Sequence, residues 1–174
     1  MNIMSSPFTR ALYDRLPEDF PAQSVDGLLV HDPVPLRGHQ ALVADLLLAI
    51  APLVGTRRVF VSPIDIPLDD LNVLQPDVAV WAEPPPLDRR DADLPCVVFE
   101  VLSPSNRDLD RGVKAAKYLE AGVREVWLVD PDDETIEIRR RDERSVHAGR
   151  TTAKSEVVEG LSVVPLVLFE PLRR

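Results

Sequence analysis

The chain has 174 residues, of which 45% are hydrophobic and 28% charged, a composition typical of a globular rather than a disordered protein. Its net charge of −9 argues against nucleic-acid binding by the whole surface, because affinity for phosphate comes mainly from Lys and Arg, although a local basic patch can coexist with an acidic whole. The single cysteine, Cys96, excludes an intrachain disulfide. No signal peptide is apparent, and we expect one domain, residues 1–174, in the cytoplasm.

The N-terminal part of the chain predicts a short helix and then a hairpin. Ser6-Pro7 is typical of a helix start, with Ser6 as N-cap, and the helix is expected to reach about Leu16. The segment from Val25 to Val30, around Asp26-Gly27, predicts a strand or the edge of a hairpin.

A strongly apolar helix is predicted next, from Gln40 to Ile50, because apolar residues recur there at helical spacing. Pro52 is expected to end it. The apolar region from Ala41 to Val54 is interrupted by Asp45 and is too short to span a bilayer, so we expect no membrane association.

The middle of the chain predicts three strands. The first runs from Arg58 to Ile66 with a break near Pro63, and the second runs from Leu74 to Trp81. A charged, proline-rich loop from Glu83 to Pro95 separates them from the third, the nearly all-apolar run from Cys96 to Leu102. Such a run is typical of a strand that is covered on both faces.

The second half of the chain predicts one helix and several further strands. A turn at residues 103–106 leads to a helix that begins at Arg107 or Asp108, reaches about Ala121 and ends at Gly122. The strands are expected at Val126 to Val129, Thr135 to Arg139, Ser155 to Val158 and Val163 to Leu168.

Two carboxylates in this pattern are candidates for chemistry. Glu100 is the one charge in its apolar strand, where it is costly to bury without a partner. It either faces a solvated side of the sheet or pairs with an arginine, or it binds a hard cation such as Mg²⁺, which takes oxygen ligands. Asp77 follows Pro76 in what is usually a turn, but an alternating run begins directly after it. The two side chains would converge if these strands are neighbours.

A lysine on the predicted helix is the third candidate. One side of that helix is polar and carries Asp110, Lys114 and Lys117. In the simpler interpretation Asp110 and Lys114 form a solvated i,i+4 pair, worth a few tenths of a kcal/mol. In the functional interpretation this side covers the strand edge that bears Asp77 and Glu100. A metal there would polarise a phosphate and activate a water, and the lysine would orient that water or stabilise charge.

Two segments of the chain resemble the Uma-type restriction endonuclease family, which belongs to the PD-(D/E)XK nuclease-like superfamily. One is Gln75-Pro76-Asp77, followed by Val-Ala-Val. The other begins at Glu100 with Glu-Val-Leu-Ser-Pro-Ser-Asn and extends to Pro131. The second segment includes the family's signature positions Lys114, Tyr118, Gly122 and Trp127. The resemblance covers most of the chain.

This resemblance implies an α/β, restriction-endonuclease-like fold, in which a mixed β-sheet is flanked by helices. It implies that Asp77 and Glu100 are metal ligands and that Lys114 completes the catalytic set, since Leu102 stands where the superfamily usually has its lysine. Mg²⁺ is the expected cofactor, with Mn²⁺ able to substitute for it, and DNA is the expected substrate of phosphodiester hydrolysis. A homodimer is compatible with this function, and no substrate-binding residue is predicted.

One position departs from the family pattern. The family often has a glutamate shortly before the Asp-Gly of its first strand, and Gln23 or Ser24 stands there in this chain. Metal binding would be weaker if that acid contributes to the site. The alternative hypothesis is therefore a catalytically inactive nuclease-fold module that acts in protein–protein or assembly interactions.

The remaining polar and aromatic candidates have simpler interpretations. His39 is expected to be a capping or surface residue at a helix start, and Tyr118 and Trp127 are expected to lie in the core. The basic runs Arg57-Arg58 and Arg139-Arg140-Arg141 could contact phosphates, but solvated strand faces are the default.

Overall fold

The computed structural model describes residues 6–17, 20–31, 34–88, 93–104, 107 and 109–173. The helices of these residues are α1 (Arg10–Tyr13), α2 (Arg37–Val54), α3 (Ala115–Ala121) and α4 (Pro165–Phe169), and a π-helical turn, Leu109–Lys114, leads into α3. The strands are β1 (Ala22–Val25), β2 (Leu28–His31), β3 (Val59–Val61), β4 (Ile66–Pro67), β5 (Val73–Leu74), β6 (Val78–Val80), β7 (Val97–Val101), β8 (Glu125–Asp130), β9 (Thr135–Arg139), β10 (Arg144–Ala148), β11 (Ala153–Lys154) and β12 (Ser162–Val163).

The largest sheet in the described part of the chain is mixed and has six strands in the order β10-β9-β8-β7-β6-β3. Strands β7 and β8 are parallel, and the other neighbours are antiparallel. A parallel pair needs a crossover, which the π-helical turn and α3 supply. A four-stranded sheet, β2-β1-β5-β4, and the ribbon β11-β12 lie beside it. The predicted fold class, a mixed sheet flanked by helices, is confirmed.

Both faces of β7 are buried, as its apolar sequence predicts. Successive residues of a strand point to opposite faces, so β7 contributes to two separate cores. Val97, Phe99 and Val101 pack with the apolar side of α2, and Val98 packs with α3. Glu100 has the same parity as Val98 and therefore points to the side of the sheet that α3 covers.

Helix α2 is longer than its sequence predicts, because Pro52 lies inside it and does not end it. Proline frees the carbonyl four residues earlier, and here that residue is Leu48, whose side chain is exposed, so water can satisfy the carbonyl. The helix ends instead at Gly55, which has a φ of 91°. The whole helix, Arg37–Val54, is long and apolar enough to cross a membrane by length and composition alone, a test that helices in the core of a globular protein also pass. Its buried residues pack on the large sheet.

Two predicted strands are each divided between the two larger sheets. The run from Arg58 to Ile66 contributes β3 to the large sheet and β4 to the smaller one, and the run from Leu74 to Trp81 is divided between β5 and β6. The second division falls around Pro76, which has no N–H to donate to a ladder. Asp77 therefore lies where the chain enters the large sheet.

The two ends of the described chain differ from the prediction. The first helix is only the single turn Arg10–Tyr13, preceded by Thr9 and not by Ser6. The expected strand at Ser155 to Val158 is wrong, because the Ser155 hydroxyl accepts hydrogen bonds from the N–H groups of Val157 and Val158 and bends the chain there. Most of the run from Val163 to Leu168 is helix α4, with Pro165 at its first position.

The hairpin and the second helix agree with the sequence pattern. Strands β1 and β2 pair through a two-residue turn in which Asp26 and Gly27 have φ values of 50° and 70°. Helix α3 ends at Gly122, which adopts the left-handed conformation with φ of 113°. Its predicted start at Asp108, and residues 105–106 of the preceding turn, lie outside the described residues. Strand β10 was not predicted.

Replacing Gly27 with alanine should lower the free energy of unfolding by about 1–3 kcal/mol, because the position is left-handed and the chain packs closely against it. A Cβ at position 27 would lie 2.7 Å from the Cβ of Pro7. Urea unfolding of the purified variant measures the loss.

The matched control is Gly38→Ala, at the start of α2, where nothing lies within 4 Å of an added Cβ. It should leave stability unchanged or raise it by up to about 1 kcal/mol. Equal midpoints for Gly27→Ala and the wild type would contradict the packing described for the hairpin turn.

Candidate functional site

The register of β6 and β7 places Asp77 and Glu100 on one face of the large sheet. The two strands are antiparallel with Val78 opposite Phe99, and the same register continued by one residue sets Asp77 opposite Glu100. Residues directly opposite each other on antiparallel strands project to the same side. The two acids therefore project to one face of the sheet from neighbouring strands, as the sequence-based hypothesis requires, and their role as metal ligands stays a prediction.

Glu100 lies in a polar pocket beneath the π-helical turn and α3. Its side chain is 2% exposed, and its Oε1 lies 2.8 Å from the Nζ of Lys114. The hydroxyl of Tyr118 donates to the same oxygen at 3.0 Å. Lys114 Nζ also lies 3.1 Å from Asp110 Oδ1 and 3.4 Å from the backbone oxygen of Gln75, which connects the helix to the chain segment before Asp77.

The interpretation of Asp110 and Lys114 as a solvated pair is wrong, because both side chains are buried. The helical turn that carries them is π-helical, a wider form that occurs frequently at functional sites. Sequence periodicity assigns these residues to the polar side of an α-helix, and it cannot show that this side faces the sheet. Lys114 is thus next to Glu100, and Asp110 joins the pocket as a third carboxylate that the sequence did not identify as part of the site.

The charges in this pocket are strongly coupled. Burial raises the pKa of Glu100 well above its ordinary value, and the negative charges of Asp110 and Asp77 act in the same direction. Burial alone would lower the pKa of Lys114, but the carboxylates of Glu100 and Asp110 outweigh it and raise that pKa. Burial and the charge of Glu100 raise the pKa of Tyr118. Lys114 therefore stays an ammonium ion. It contacts two carboxylates, those of Glu100 and Asp110, and the charge of Asp77 lies nearby.

Asp77 is held from two sides at the open edge of the pocket. Its Oδ2 accepts a hydrogen bond from the backbone N–H of Val101 at 2.7 Å and lies 3.4 Å from Nε2 of His39. The same Nε2 is 3.2 Å from the Val101 carbonyl oxygen. The interaction with Asp77 raises the pKa of His39 above 6.5 despite partial burial. The side chain of Asp77 is 17% exposed, so solvent reaches the site from here.

His39 is neither the helix cap nor the surface residue that the sequence suggests. Helix α2 begins after Leu36, whose side chain makes no capping bond, and His39 points from the first turn toward Asp77. No spacing rule connects two residues so far apart in sequence on a helix and a strand. The contact follows from how α2 packs on the sheet, and sequence reasoning had no signal for it.

Gln23, one of the two residues for which the resemblance implies an acid, is close to the pocket but not in it. Its side chain is buried, and its Oε1 accepts a hydrogen bond from the backbone N–H of Gln75 at 2.7 Å. The carbonyl oxygen of Gln75 in turn faces Lys114. Ser24 donates instead to the carbonyl of Leu71. The neutral side chain of Gln23 is therefore linked to the carboxylate pocket only through Gln75.

The donor atoms of the pocket fit a hard divalent cation. Asp77 and Glu100 supply carboxylate oxygens on one face of the sheet, and Asp77 is accessible to solvent. Among the residues that the structure describes, no three His, Cys, Asp or Glu side chains are grouped as a complete metal site. Two carboxylates are enough for Mg²⁺, which usually keeps several waters.

Comparison with known proteins agrees with this architecture. Residues 10–168 match the protein family Uma2, described as "Putative restriction endonuclease". The chain belongs to this family. The resemblance read from its sequence segments is thereby confirmed.

A solved structure has the same fold. It is titled as a "putative nuclease belonging to DUF820" from Anabaena variabilis ATCC 29413, and it superposes with a TM-score of 0.80 over 94% of this chain and 98% of its own. The two sequences are 21% identical, so this likeness establishes the fold alone. No curated protein matches the chain.

Removing the Lys114 ammonium should lower the free energy of unfolding by about 3–5 kcal/mol in Lys114→Ala, because buried carboxylates lose their counter-charge. The loss should become smaller as the pH falls from neutral toward 4.5, the ordinary value for glutamate, since protonation removes the unpaired charge of Glu100. Urea unfolding over this pH range measures both effects.

The matched control is Lys117→Ala on the same helix. Lys117 pairs with Asp26, which is more than half exposed, so its removal should cost at most about 1 kcal/mol and show no comparable pH dependence. Equal losses for the two lysine variants would contradict the burial of Lys114.

Proposed function

We propose that this Uma2 family member is a divalent-metal-dependent endodeoxyribonuclease. Asp77 and Glu100 would hold the cation, and Lys114 would complete the catalytic set. The observation that carries this proposal is the ammonium of Lys114, 2.8 Å from Glu100 in a pocket on the sheet face that also bears Asp77. A buried cation among three carboxylates is difficult to explain as a stabilising device, because buried ion pairs add little to stability.

Each protein group has a distinct task in the proposed reaction. Mg²⁺ or Mn²⁺, when bound, would polarise the scissile phosphate and lower the pKa of a water. Lys114 acts as a fixed positive charge that stabilises the transition state and not as a proton acceptor, because Glu100 and Asp110 raise its pKa. The Val101 N–H holds the carboxylate of Asp77 in one orientation. Tyr118 does the same for Glu100.

The reaction adds one water across a phosphorus–oxygen bond of the DNA backbone. The water oxygen forms a bond to phosphorus, the bond to the leaving sugar oxygen breaks, and the water proton passes to the leaving group. Substrate would approach from the side of Asp77, since Glu100 and Lys114 are only 2% and 3% exposed. The α2 side of the sheet also carries a buried carboxylate, Glu125, but it is fully occupied by the side chains of Trp127, Ser155 and Arg140.

Purified protein should nick plasmid DNA in the presence of Mg²⁺ or Mn²⁺ and not in EDTA, and Asp77→Asn should lower the rate at least about 100-fold. Asparagine is the best replacement because its side-chain oxygen can still accept the Val101 N–H, so folding is preserved while the ligand charge is lost. Gel analysis of nicked and linear plasmid measures the rates.

Glu100→Gln should show the same loss, and Glu159→Gln, at an exposed position, is the control that should cut like the wild type. Equal cutting by the wild type and the Asp77 variant would assign the activity to a contaminant. Absence of cutting with every metal tried would contradict the proposal.

The alternative function, an inactive nuclease-fold module in protein–protein or assembly interactions, is favoured by Gln23. Its side chain is buried and hydrogen-bonded, which gives this neutral residue a structural role, and both Gln23 and Ser24, where the resemblance implies an acid, are neutral. This alternative predicts no heat of binding for millimolar Mg²⁺ or Mn²⁺ in titration calorimetry. A measurable heat that disappears in Asp77→Asn would exclude it.

A further inference from the structure

Four arginines gather around two buried carboxylates beside the proposed active site. We call Arg107, Arg111, Arg139 and Arg144 the arginine cluster. Its central carboxylates are Asp130, at the end of β8, and Glu137, in β9, both almost fully buried. The sequence points only to the run Arg139-Arg140-Arg141, of which Arg139 alone belongs to the cluster.

Asp130 is the partner of the first arginine. Arg107 donates from Nη1 to Asp130 Oδ2 at 2.5 Å and from Nη2 to Asp130 Oδ1 at 2.9 Å, a bidentate pair. Its Nη2 also reaches the exposed carboxylate of Asp132 at 2.6 Å. Although burial acts in the opposite direction, Arg107 lowers the pKa of Asp130, which therefore stays ionised.

Glu137 is the partner of two further arginines. Arg139 Nε lies 2.6 Å from Glu137 Oε1, and Arg144 Nε lies 2.9 Å from the same oxygen. Arg139 also donates to the backbone oxygen of Arg111, which joins β9 to the π-helical turn. Arg111 makes only long contacts, 3.4 Å to Asp130 and 3.6 Å to Glu137.

The cluster has more guanidinium groups than carboxylates, and in the described part of the chain not all of its N–H donors are paired. Four guanidinium groups face three carboxylates, in a chain whose net charge is −9. The buried Nε of Arg111 has no hydrogen-bond partner among the described residues. The side chain of Arg144 is 64% exposed and pairs with Glu137 through Nε, so this ion pair does not use its two terminal nitrogens. Guanidinium groups with free parallel N–H donors suit the oxygens of a phosphate.

The cluster and the proposed catalytic pocket share one sheet face. Glu100 pairs in register with Leu128, and Leu128 with Glu137, so the two acids project from the same side at a separation of two strand spacings, about 10 Å. Arg111 lies in the same π-helical turn as Lys114. A DNA strand that crosses this face over the pocket would also pass over the cluster.

We propose that the arginine cluster binds a phosphate of the DNA backbone adjacent to the scissile phosphate. The inference rests on the proposed nuclease function and adds the substrate contact that this function needs. Phosphate contacts fix the position of a protein on nucleic acid without reading its sequence. Arg144 and Arg111 are the contacting residues, because Arg144 is largely exposed and forms a single ion pair among the residues that the structure describes, and Arg111 is 35% exposed and makes only long contacts. Arg107 and Arg139 hold the two buried carboxylates in place.

The test is fluorescence anisotropy of a labelled DNA duplex in EDTA, which prevents hydrolysis, over a series of salt concentrations. Arg144→Gln should weaken binding about tenfold and reduce the slope of log affinity against log salt by about 1. Arg111→Gln should show the same direction of change. Urea unfolding of each variant separates loss of binding from loss of folding.

Arg150→Gln is the control, because it removes the same charge from an exposed turn beyond the other end of β10. It should keep the wild-type affinity and salt slope. The proposal is overturned if Arg144→Gln and Arg111→Gln bind like the wild type, even when they are less stable, because the cluster would then be a structural ion-pair network only. It is also overturned if Arg150→Gln weakens binding as much.

The nuclease function and the phosphate contact can be distinguished by these experiments. If the wild type nicks DNA while the arginine variants bind unchanged, only the phosphate contact is wrong. If the wild type neither binds nor cuts DNA, the nuclease function is wrong, and the phosphate contact that rests on it is wrong as well.

Discussion

The ion pair between Lys114 and Glu100 is the interaction on which the arrangement of this protein's polar face depends. Transferring an ammonium and a carboxylate out of water costs several kcal/mol for each ion, and their attraction offsets this only when the geometry is good and further polar groups surround them. Tyr118, Asp110 and the Gln75 carbonyl supply these groups. The π-helical turn therefore has to lie where it does on the sheet, because any other placement would leave a charge buried alone.

The two faces of the large sheet have different roles as a result. Against α2 the sheet is mostly apolar and forms the larger core, and its one buried acid in β8, Glu125, is fully paired with neighbouring side chains. Against α3 the same strands carry charges at their carboxyl ends, where parallel strands commonly present functional groups. Asp77 enters this face because the chain changes sheets around Pro76, and its side chain stays accessible while Glu100 does not. The pocket thus combines one accessible acid, held by the Val101 N–H and His39, with a buried ion pair of Lys114 and Glu100.

Local patterns in the sequence determined part of this arrangement, and tertiary contacts determined the rest. The lone charge of Glu100 in an apolar strand and the helical position of Lys114 are local, so both could be read before the structure. The burial of Asp110 and the contact of His39 with Asp77 depend on which helix side meets the sheet, which periodicity does not show. The sequence predicts the break near Pro63, but the assignment of the broken strands to two sheets depends on tertiary pairing. The helix at Pro165 was missed because short apolar runs fit either element.

Net charge is a poor guide to what this protein can bind, because screening makes electrostatics local. At physiological ionic strength the Debye length is about 8 Å, so exposed charges on the far side of a domain have little effect on a phosphate at the pocket. Under the proposed function, such a phosphate would meet Asp77 with any bound cation and the exposed arginines near Asp130 and Glu137, whereas Lys114 is only 3% exposed and would act through its field. An overall charge of −9 would then disfavour non-specific binding elsewhere on the surface, while the arginine cluster would attract a polyanion locally.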